Sequence, residues 1–571
     1  MLLLALSLPV CQPLFTTRQL SGHDAVEYFP RVVEFHENIR HGILLPRWAP
    51  DLSAGYGQPF FLFNPPLLYY IAKFWHLVGL DHVTALNATR IMIVLSSTVA
   101  MYFLGKLYFG STGGILAAGA YVYAPYFHTD LYVRYALAEF LAFPFYPLTL
   151  FGLAGYVRSR SKLFLIVATV GWAAILFSHN PAALLFAPLL FAFILYNTWI
   201  TKSWTVFWWQ VGAVLLGLGM AACIWVPIFV EKDAVNVHRL LIGNLRYSNH
   251  FVHLKQLFSV AWGYGLSRAG EQDSMSFSLG WGHLTLSLAA WVLARRSPER
   301  VDQSWLTFFT GAVIALCALM LPITQSLWDR IILLQYVQFP WRLLAPTTVC
   351  LALLVAPLGV LINETLKWRW PWVILALALA VLPNLSHARP QHFYEINFNA
   401  FNPEDFARLG VAVTTREEYE PTWVAERAPY RSEKIEIITG DVQVFKMNRR
   451  PGHLSANVAA REPSLIELGI SYFPGWRVWI DGQEVDTKIA SRTGLIRLVA
   501  PSGEHRIDAQ FTRTIPRWIG EGLSILTTLM IFYLVWCWWP ENVRDGLPSA
   551  LKRSFAPQKS RPSRKRPIKK R

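Results

Sequence analysis

Asp24 lies in Gly22-His23-Asp24-Ala25-Val26-Glu27-Tyr28-Phe29-Pro30, just beyond the first apolar segment of the chain. A carboxylate at the outer mouth of a membrane bundle can take the proton of a water-soluble hydroxyl acceptor while a lipid-borne donor binds beside it. Group transfer with inversion needs such a base on the face opposite the departing phosphate. Two plainer readings stand alongside. Asp24 and Glu27 have capping-box spacing, although Pro30 should interrupt a helix that has just begun. Metal ligation by Asp24 is the third.

Arg134, in Tyr132-Val133-Arg134-Tyr135-Ala136-Leu137-Ala138-Glu139, and Arg342, after Gln338-Phe339-Pro340-Trp341, suit a lipid-linked phosphate. A guanidinium offers two parallel hydrogen bonds to phosphate oxygens. The alternatives are an Arg134–Glu139 or headgroup contact, and an Arg342 that snorkels at the membrane boundary. Ser178-His179-Asn180-Pro181 breaks two apolar runs, as a helix-end turn or as a substrate contact. His23 and Glu139 join His179 and Asn180 as the expected substrate-binding residues. No metal site is indicated: His250 and His253, three apart, are the only tight pair in the polar stretch 229–277. That stretch reads better as a loop covering a substrate. No cofactor is certain, and a divalent ion is possible without being indicated.

The elements that must position these residues follow from composition. Of 571 residues, 54% are hydrophobic and 15% charged, with mean hydropathy +0.33; soluble domains usually carry about 25% charged residues. Apolar runs of spanning length make this a polytopic α-helical membrane protein. Twelve spans are expected, near 1–15, 84–106, 113–128, 137–156, 163–178, 181–199, 205–228, 278–294, 304–322, 343–363, 370–386 and 516–538. Basic connections such as Arg158-Ser159-Arg160-Ser161-Lys162, Arg295-Arg296 and Lys367-Trp368-Arg369 fall on one side, which the positive-inside rule makes cytoplasmic. Residues 1–15 are short for a span and read as an incomplete first helix or a signal peptide. The apolar stretch 67–80 is too short to cross and should lie on or dip into the outer surface.

Four regions result: a bundle over 1–386 with a long first outer loop, 16–83; a β-rich domain over 387–515 outside the membrane; a last span, 516–538; and a basic tail, 539–571. Within the first loop an amphipathic interfacial helix is expected over 31–41. The β-rich region alternates as antiparallel strands of a small sandwich, with Asp481-Gly482 as a hairpin signal. After Pro540 the tail carries eleven Lys/Arg against two acids, nine of the net +16. Its composition predicts a disordered cytoplasmic segment that touches anionic lipid, and not a nucleic-acid binder. The five cysteines fall in apolar segments, which excludes a disulfide framework.

Gly22-His23-Asp24, Gly55-Tyr56-Gly57-Gln58-Pro59-Phe60-Phe61-Leu62-Phe63-Asn64-Pro65-Pro66, Arg134-Tyr135-Ala136-Leu137-Ala138-Glu139-Phe140, Ser178-His179-Asn180 and Gln338-Phe339-Pro340-Trp341-Arg342 together resemble the membrane proteins called 6-pyruvoyl-tetrahydropterin-synthase-related. Nothing in them resembles a soluble pterin synthase. Tyr472-Phe473-Pro474-Gly475-Trp476-Arg477-Val478-Trp479-Ile480-Asp481-Gly482 and Pro501-Ser502-Gly503-Glu504-His505 resemble the outer domain of YfhO-like proteins. Both groups are similar to the C-type glycosyltransferases (GT-C). The resemblance implies transfer of a sugar from a polyprenyl-phosphate donor to a cell-envelope glycan or lipid, on the outer face of a bacterial inner membrane, with Asp24 at the catalytic acid/base position. The chain departs from that pattern in lacking a cytoplasmic start and in having one acidic residue where some relatives have a pair. A lipid or glycan transporter and a non-catalytic assembly factor are the other classes. Span interiors almost free of charge favour transfer over transport, which predicts charged or broken helices at the membrane midplane.

Overall fold

Inside a hydrocarbon layer every backbone N–H and C=O must be satisfied within the protein, so the apolar runs form helices. The computed structural model describes residues 1–365, 368–395, 397–410, 413, 414 and 416–538. The basic tail and the Lys367 connection lie outside the described residues.

Among the described residues, six helical segments are long and apolar enough to cross a membrane: His82–Val122, Leu137–Ser159, Asn180–Thr201, Pro340–Asn363, Arg369–His387 and Ile515–Trp538. Two bent pairs raise this to eight if each is one span: Trp204–Met220 with Ala222–Ala234, at 68°, and Gln303–Leu319 with Pro322–Arg330, at 81°. Twelve crossings are therefore not shown. Leu2–Leu14 and Leu163–Ser178 are helical and apolar but short, and Trp281–Arg296 has 16 residues.

His82–Val122 is not one rod. Phe109 and Gly110 leave helical geometry, Gly110 at φ 67°. A Cβ on Gly105 would come within 2.9 Å of Ala117, whereas twelve residues of straight helix separate two positions by about 18 Å. The segment is thus a hairpin; its first arm covers the expected run 84–106, and its second ends at Val122, short of the expected 128.

The first loop departs from its expected form. Its helix, Ala25–Arg40, starts six residues before the expected position and runs through Pro30. It is not a surface helix, since Tyr28, Phe29, Val32, Val33 and Phe35 are all buried. Its burial supplies the packing that offsets the missing proline hydrogen bond, a cost the sequence pattern alone could not weigh. The stretch expected to dip into the surface is helical over Leu67–Leu77, eleven residues, below spanning length.

Among the described residues, nine antiparallel strands occupy the later part of 387–515: β1 (Ile435–Thr439), β2 (Val442–Arg450), β3 (His453–Ala460), β4 (Ser464–Ser471), β5 (Trp476–Ile480), β6 (Gln483–Val485), β7 (Lys488–Ile489), β8 (Leu495–Ala500) and β9 (Gly503–Phe511). They form a sheet β1-β4-β8-β7 and a sheet β2-β3-β9-β5-β6. Ile466, Leu468 and Leu498 of the first join Val458, Val478 and Ile507 of the second in one apolar cluster. Asp481 and Gly482, both at positive φ, make the tight β5–β6 turn.

Among the described residues, the strands of this region begin at Ile435; ahead of them Tyr394 meets the first part of the chain, its N–H donating to Gln19 O at 2.8 Å. The Gly55–Pro59 motif is a docking surface for the β region. Arg449 Nη1 meets Asp51 at 2.6 Å, Tyr56 Oη donates to Pro429 O at 2.6 Å, and the Ser471 N–H donates to Tyr56 O at 2.9 Å.

Candidate active site

The helix Ala25–Arg40 begins against a six-residue π-helical stretch, Thr129–Arg134. Wide turns of this kind recur at functional sites because they re-aim side chains. The His23 N–H donates to Val133 O at 3.1 Å and the Asp24 N–H to Arg134 O at 3.0 Å. Gly22 permits this approach: a Cβ there would lie 2.5 Å from Tyr135 Cβ. Tyr135 is itself at φ 58°, with Gln19 Nε2 on its hydroxyl at 2.7 Å and the Arg90 guanidinium 3.8 Å from its ring centre.

These bonds dismantle the capping box. The Asp24 N–H that Glu27 would accept from is taken by Arg134 O, so Glu27 turns to Arg31 instead. Asp24 stands at the helix start and its carboxylate makes no capping hydrogen bond. It lines a cavity of about 1400 Å³ together with His23, Glu27, Arg134, His179 and Arg342. The structure thus brings Asp24, His23, Arg134, Arg342, His179 and Asn180 to one cavity. Glu139 lies immediately behind them.

Glu139 ties the two arginines together. Its Oε2 is 2.8 Å from Arg134 Nη1 and 2.9 Å from Arg342 Nε. Its Oε1 accepts from Tyr126 Oη at 2.7 Å. Arg134 also pairs with Asp130 and stacks 4.6 Å above the Trp341 ring, and Arg342 Nη1 donates to Val337 O at 2.6 Å. Burial, and after it the charge of Glu139, hold the Asp130 carboxyl well above the usual carboxylate range. Six basic side chains, Arg31, Arg134, Lys232, Arg268, Arg342 and Arg416, line the cavity against three acidic ones, Asp24, Glu27 and Glu418, so the surplus is positive.

His179 stands at the break between two helices, in extended backbone, with Nδ1 buried and unpartnered. Burial, and after it Arg342, lower its pKa to about 3, so it is a neutral imidazole. Asn180 Nδ2 donates to Phe63 O at 3.3 Å. His23 Nε2 meets Tyr264 O at 3.1 Å, and burial lowers its pKa. Further in, Trp172, Leu176, Ala187 and Leu218 give the cavity an apolar wall. A polar, net-cationic mouth over an apolar wall is the shape an amphiphile with an anionic head requires.

Sequence reasoning missed several contributors. Glu27 was read only as a cap partner; burial raises its carboxyl to about 7. Arg31 donates through Nε to Val413 O at 2.9 Å, and Thr414, Glu418 and Tyr419 nearby line the cavity. Asp130 lay beside a motif already singled out, and the four-residue spacing to Arg134 was its signal. His250, weighed for metal, bonds Ser267 and Asn244 through its two ring nitrogens. A different group, His36, His76 and His82, has ligand atoms all within 4.8 Å of one another.

The fold and cavity define a helical protein with spanning-length apolar segments, an antiparallel β region and a deep amphiphilic site at their junction. No family model matches the chain, and no curated protein matches it. Solved structures resemble it distantly. The oligosaccharyltransferase of Archaeoglobus fulgidus in the apo form is 12% identical, with TM-score 0.41 over 68% of this chain and 55% of that one. The arabinofuranosyltransferase AftD from Mycobacteria is 12% identical, with TM-score 0.41 over 69% and 27%. ArnT from Cupriavidus metallidurans bound to undecaprenyl phosphate is 15% identical, with TM-score 0.37 over 66% and 62%. The chain spans about half the length of the first of these. The resemblance to the pterin-synthase-related and YfhO-like groups has no counterpart among these comparisons.

Proposed function

We propose that the protein is a GT-C membrane glycosyltransferase that moves a sugar from a polyprenyl-phosphate donor to a cell-envelope glycan or lipid. The observation that carries the reading is the cavity itself: an unpaired Asp24 carboxylate and two guanidiniums sharing Glu139, above an apolar wall. Dolichol phosphate and undecaprenyl phosphate are named with two of the similar structures, but the reading rests on the cavity and not on them.

In this reading the donor's prenyl chain lies along Trp172 and Leu218 and its phosphate rests near Arg134 and Arg342. Asp24 takes the proton of the acceptor hydroxyl as the oxygen bonds to the anomeric carbon. The carbon–oxygen bond to phosphate breaks with its electron pair going to the leaving oxygen, and the configuration inverts. The arginines stabilise the charge that accumulates on that phosphate. His179, neutral and unpartnered at Nδ1, hydrogen-bonds donor or acceptor. The envelope acceptor, the bacterial inner membrane and an outward-facing site belong to the same proposal, as do twelve crossings and a β-sandwich.

The test is Asp24→Asn in a producing strain, with membrane expression checked and envelope glycans compared by mass spectrometry. Loss of one sugar modification at normal protein level supports the reading. Unchanged glycans would remove Asp24 from the mechanism and favour the transporter. That second class has specific observations in its favour: the helices bent by 68° and 81°, and the fully buried Arg90 within His82–Val122.

A further inference from the structure

His36, His76 and His82 come from three elements that the cavity does not unite. His36 lies near the end of the helix Ala25–Arg40, His76 in the last turn of Leu67–Leu77, and His82 at the start of His82–Val122. Their ring centres are 4.2, 4.5 and 5.3 Å apart. Three imidazoles seldom gather without a reason, because protonating any one penalises the others.

We infer that this cluster is a site for a divalent ion of the zinc class, which ties the helix bearing Asp24 to the neighbouring bundle. The donor set suits that ion: neutral imidazoles favour zinc, copper and nickel over magnesium or calcium. Each ring has a nitrogen to offer. His76 Nδ1 is bonded to Leu80 O at 2.8 Å, which fixes the tautomer and leaves Nε2 as the donor. His82 Nδ1 is buried and unpartnered. His36 presents both ring nitrogens to Lys73 Nζ.

Tetrahedral bonds of about 2.0–2.1 Å place ligand nitrogens roughly 3.3 Å apart. The rings need only close in from separations within 4.8 Å. The place is held by a cation already: Lys73 Nζ sits 3.0 Å from His36 Nδ1 and 3.3 Å from its Nε2. Its stem is long and flexible, so the ammonium can swing away from the ring. A bound ion with three nitrogens and a water would take its place. Twelve residues of helix put His36 about 18 Å from Asp24, so the ion holds the helix and takes no part in the transfer.

The experiment uses the full chain in detergent, without a polyhistidine tag and stripped with EDTA. It is titrated with zinc alone, its metal content measured after dialysis, and its visible spectrum recorded with cobalt(II). About one zinc per chain, intense four-coordinate cobalt bands and a higher thermal midpoint on adding zinc are expected. His76→Ala should weaken binding at least about tenfold, Lys73→Met should tighten it, and His250→Ala should leave it unchanged. Absence of stoichiometric zinc and of the cobalt bands in the wild-type chain would overturn the inference without recourse to any variant. So would equal binding by the His76→Ala and His250→Ala chains.

Discussion

Glu139→Gln is the perturbation that most directly probes the cationic mouth of the cavity. The side chain is 2% exposed, accepts hydrogen bonds from Arg134 at 2.8 Å and Tyr126 at 2.7 Å, and forms an ion pair with Arg342 at 2.9 Å. Glutamine keeps the shape but removes the charge, and its amide nitrogen must face a donor. Removing one partner of a buried pair costs roughly 3–5 kcal/mol, because the other charge is left uncompensated. Here two guanidiniums lose their counter-charge while Asp130, raised by burial, compensates weakly. The expected result is a thermal midpoint in detergent lower by several degrees. Adding Arg342→Met should recover part of that loss, since the double variant removes one of the two stranded charges. Undecaprenyl phosphate should raise the midpoint of Glu139→Gln more than that of the wild type, because the lipid phosphate supplies the missing negative charge. Scanning fluorimetry on the wild type, the two single variants and the double, with and without the lipid, provides the readout. A Glu139→Gln midpoint equal to wild type, or a double variant worse than the sum of its singles, would refute the electrostatic account.

Further expectations concern residues around the helix start. Glu27 has a folded pKa raised to about 7, chiefly by burial. Its contribution to stability is therefore fully present below the unfolded value near 4.5 and is lost as pH rises through about 7; Glu27→Gln should flatten stability between those limits in a pH series of thermal midpoints. Gly22→Ala places a Cβ 2.5 Å from Tyr135 Cβ, so it should displace the His23 and Asp24 backbone bonds and lower both stability and sugar transfer, read as midpoint and glycan mass spectrum. Asp24→Asn, where the Asp24 side chain makes no capping bond, should leave the unfolding free energy within about 0.5 kcal/mol of wild type while transfer falls by about 10²–10⁴-fold. Arg517→Met should loosen the junction between bundle and β region, because Arg517 Nη2 lies 2.8 Å from Glu231 and donates to Pro474 O at 2.8 Å; faster limited proteolysis after residue 433 is the check.

Composition and period alone determined that the chain is a bundle of apolar helices with an antiparallel β region near its end. Those properties are local. An apolar run must be helical in lipid whatever surrounds it, and alternation over Leu454–Ala459 or His505–Phe511 marks a strand wherever it packs. Motif chemistry also picked out Asp24, Arg134, Arg342 and His179 before their proximity was known, because residue type and position at helix breaks are written in the sequence. Pairing was not. Whether Glu27 caps Asp24 or turns to Arg31 depends on a carbonyl more than a hundred residues away, at Arg134. Pro30 was expected to end a helix that tertiary burial carries through it. The sharing of Glu139 by two arginines 208 positions apart, the placing of Glu418 and Tyr419 on the cavity and the meeting of His36, His76 and His82 are likewise long-range events. Only the packed chain decides them, because each depends on which distant segment occupies the neighbouring space.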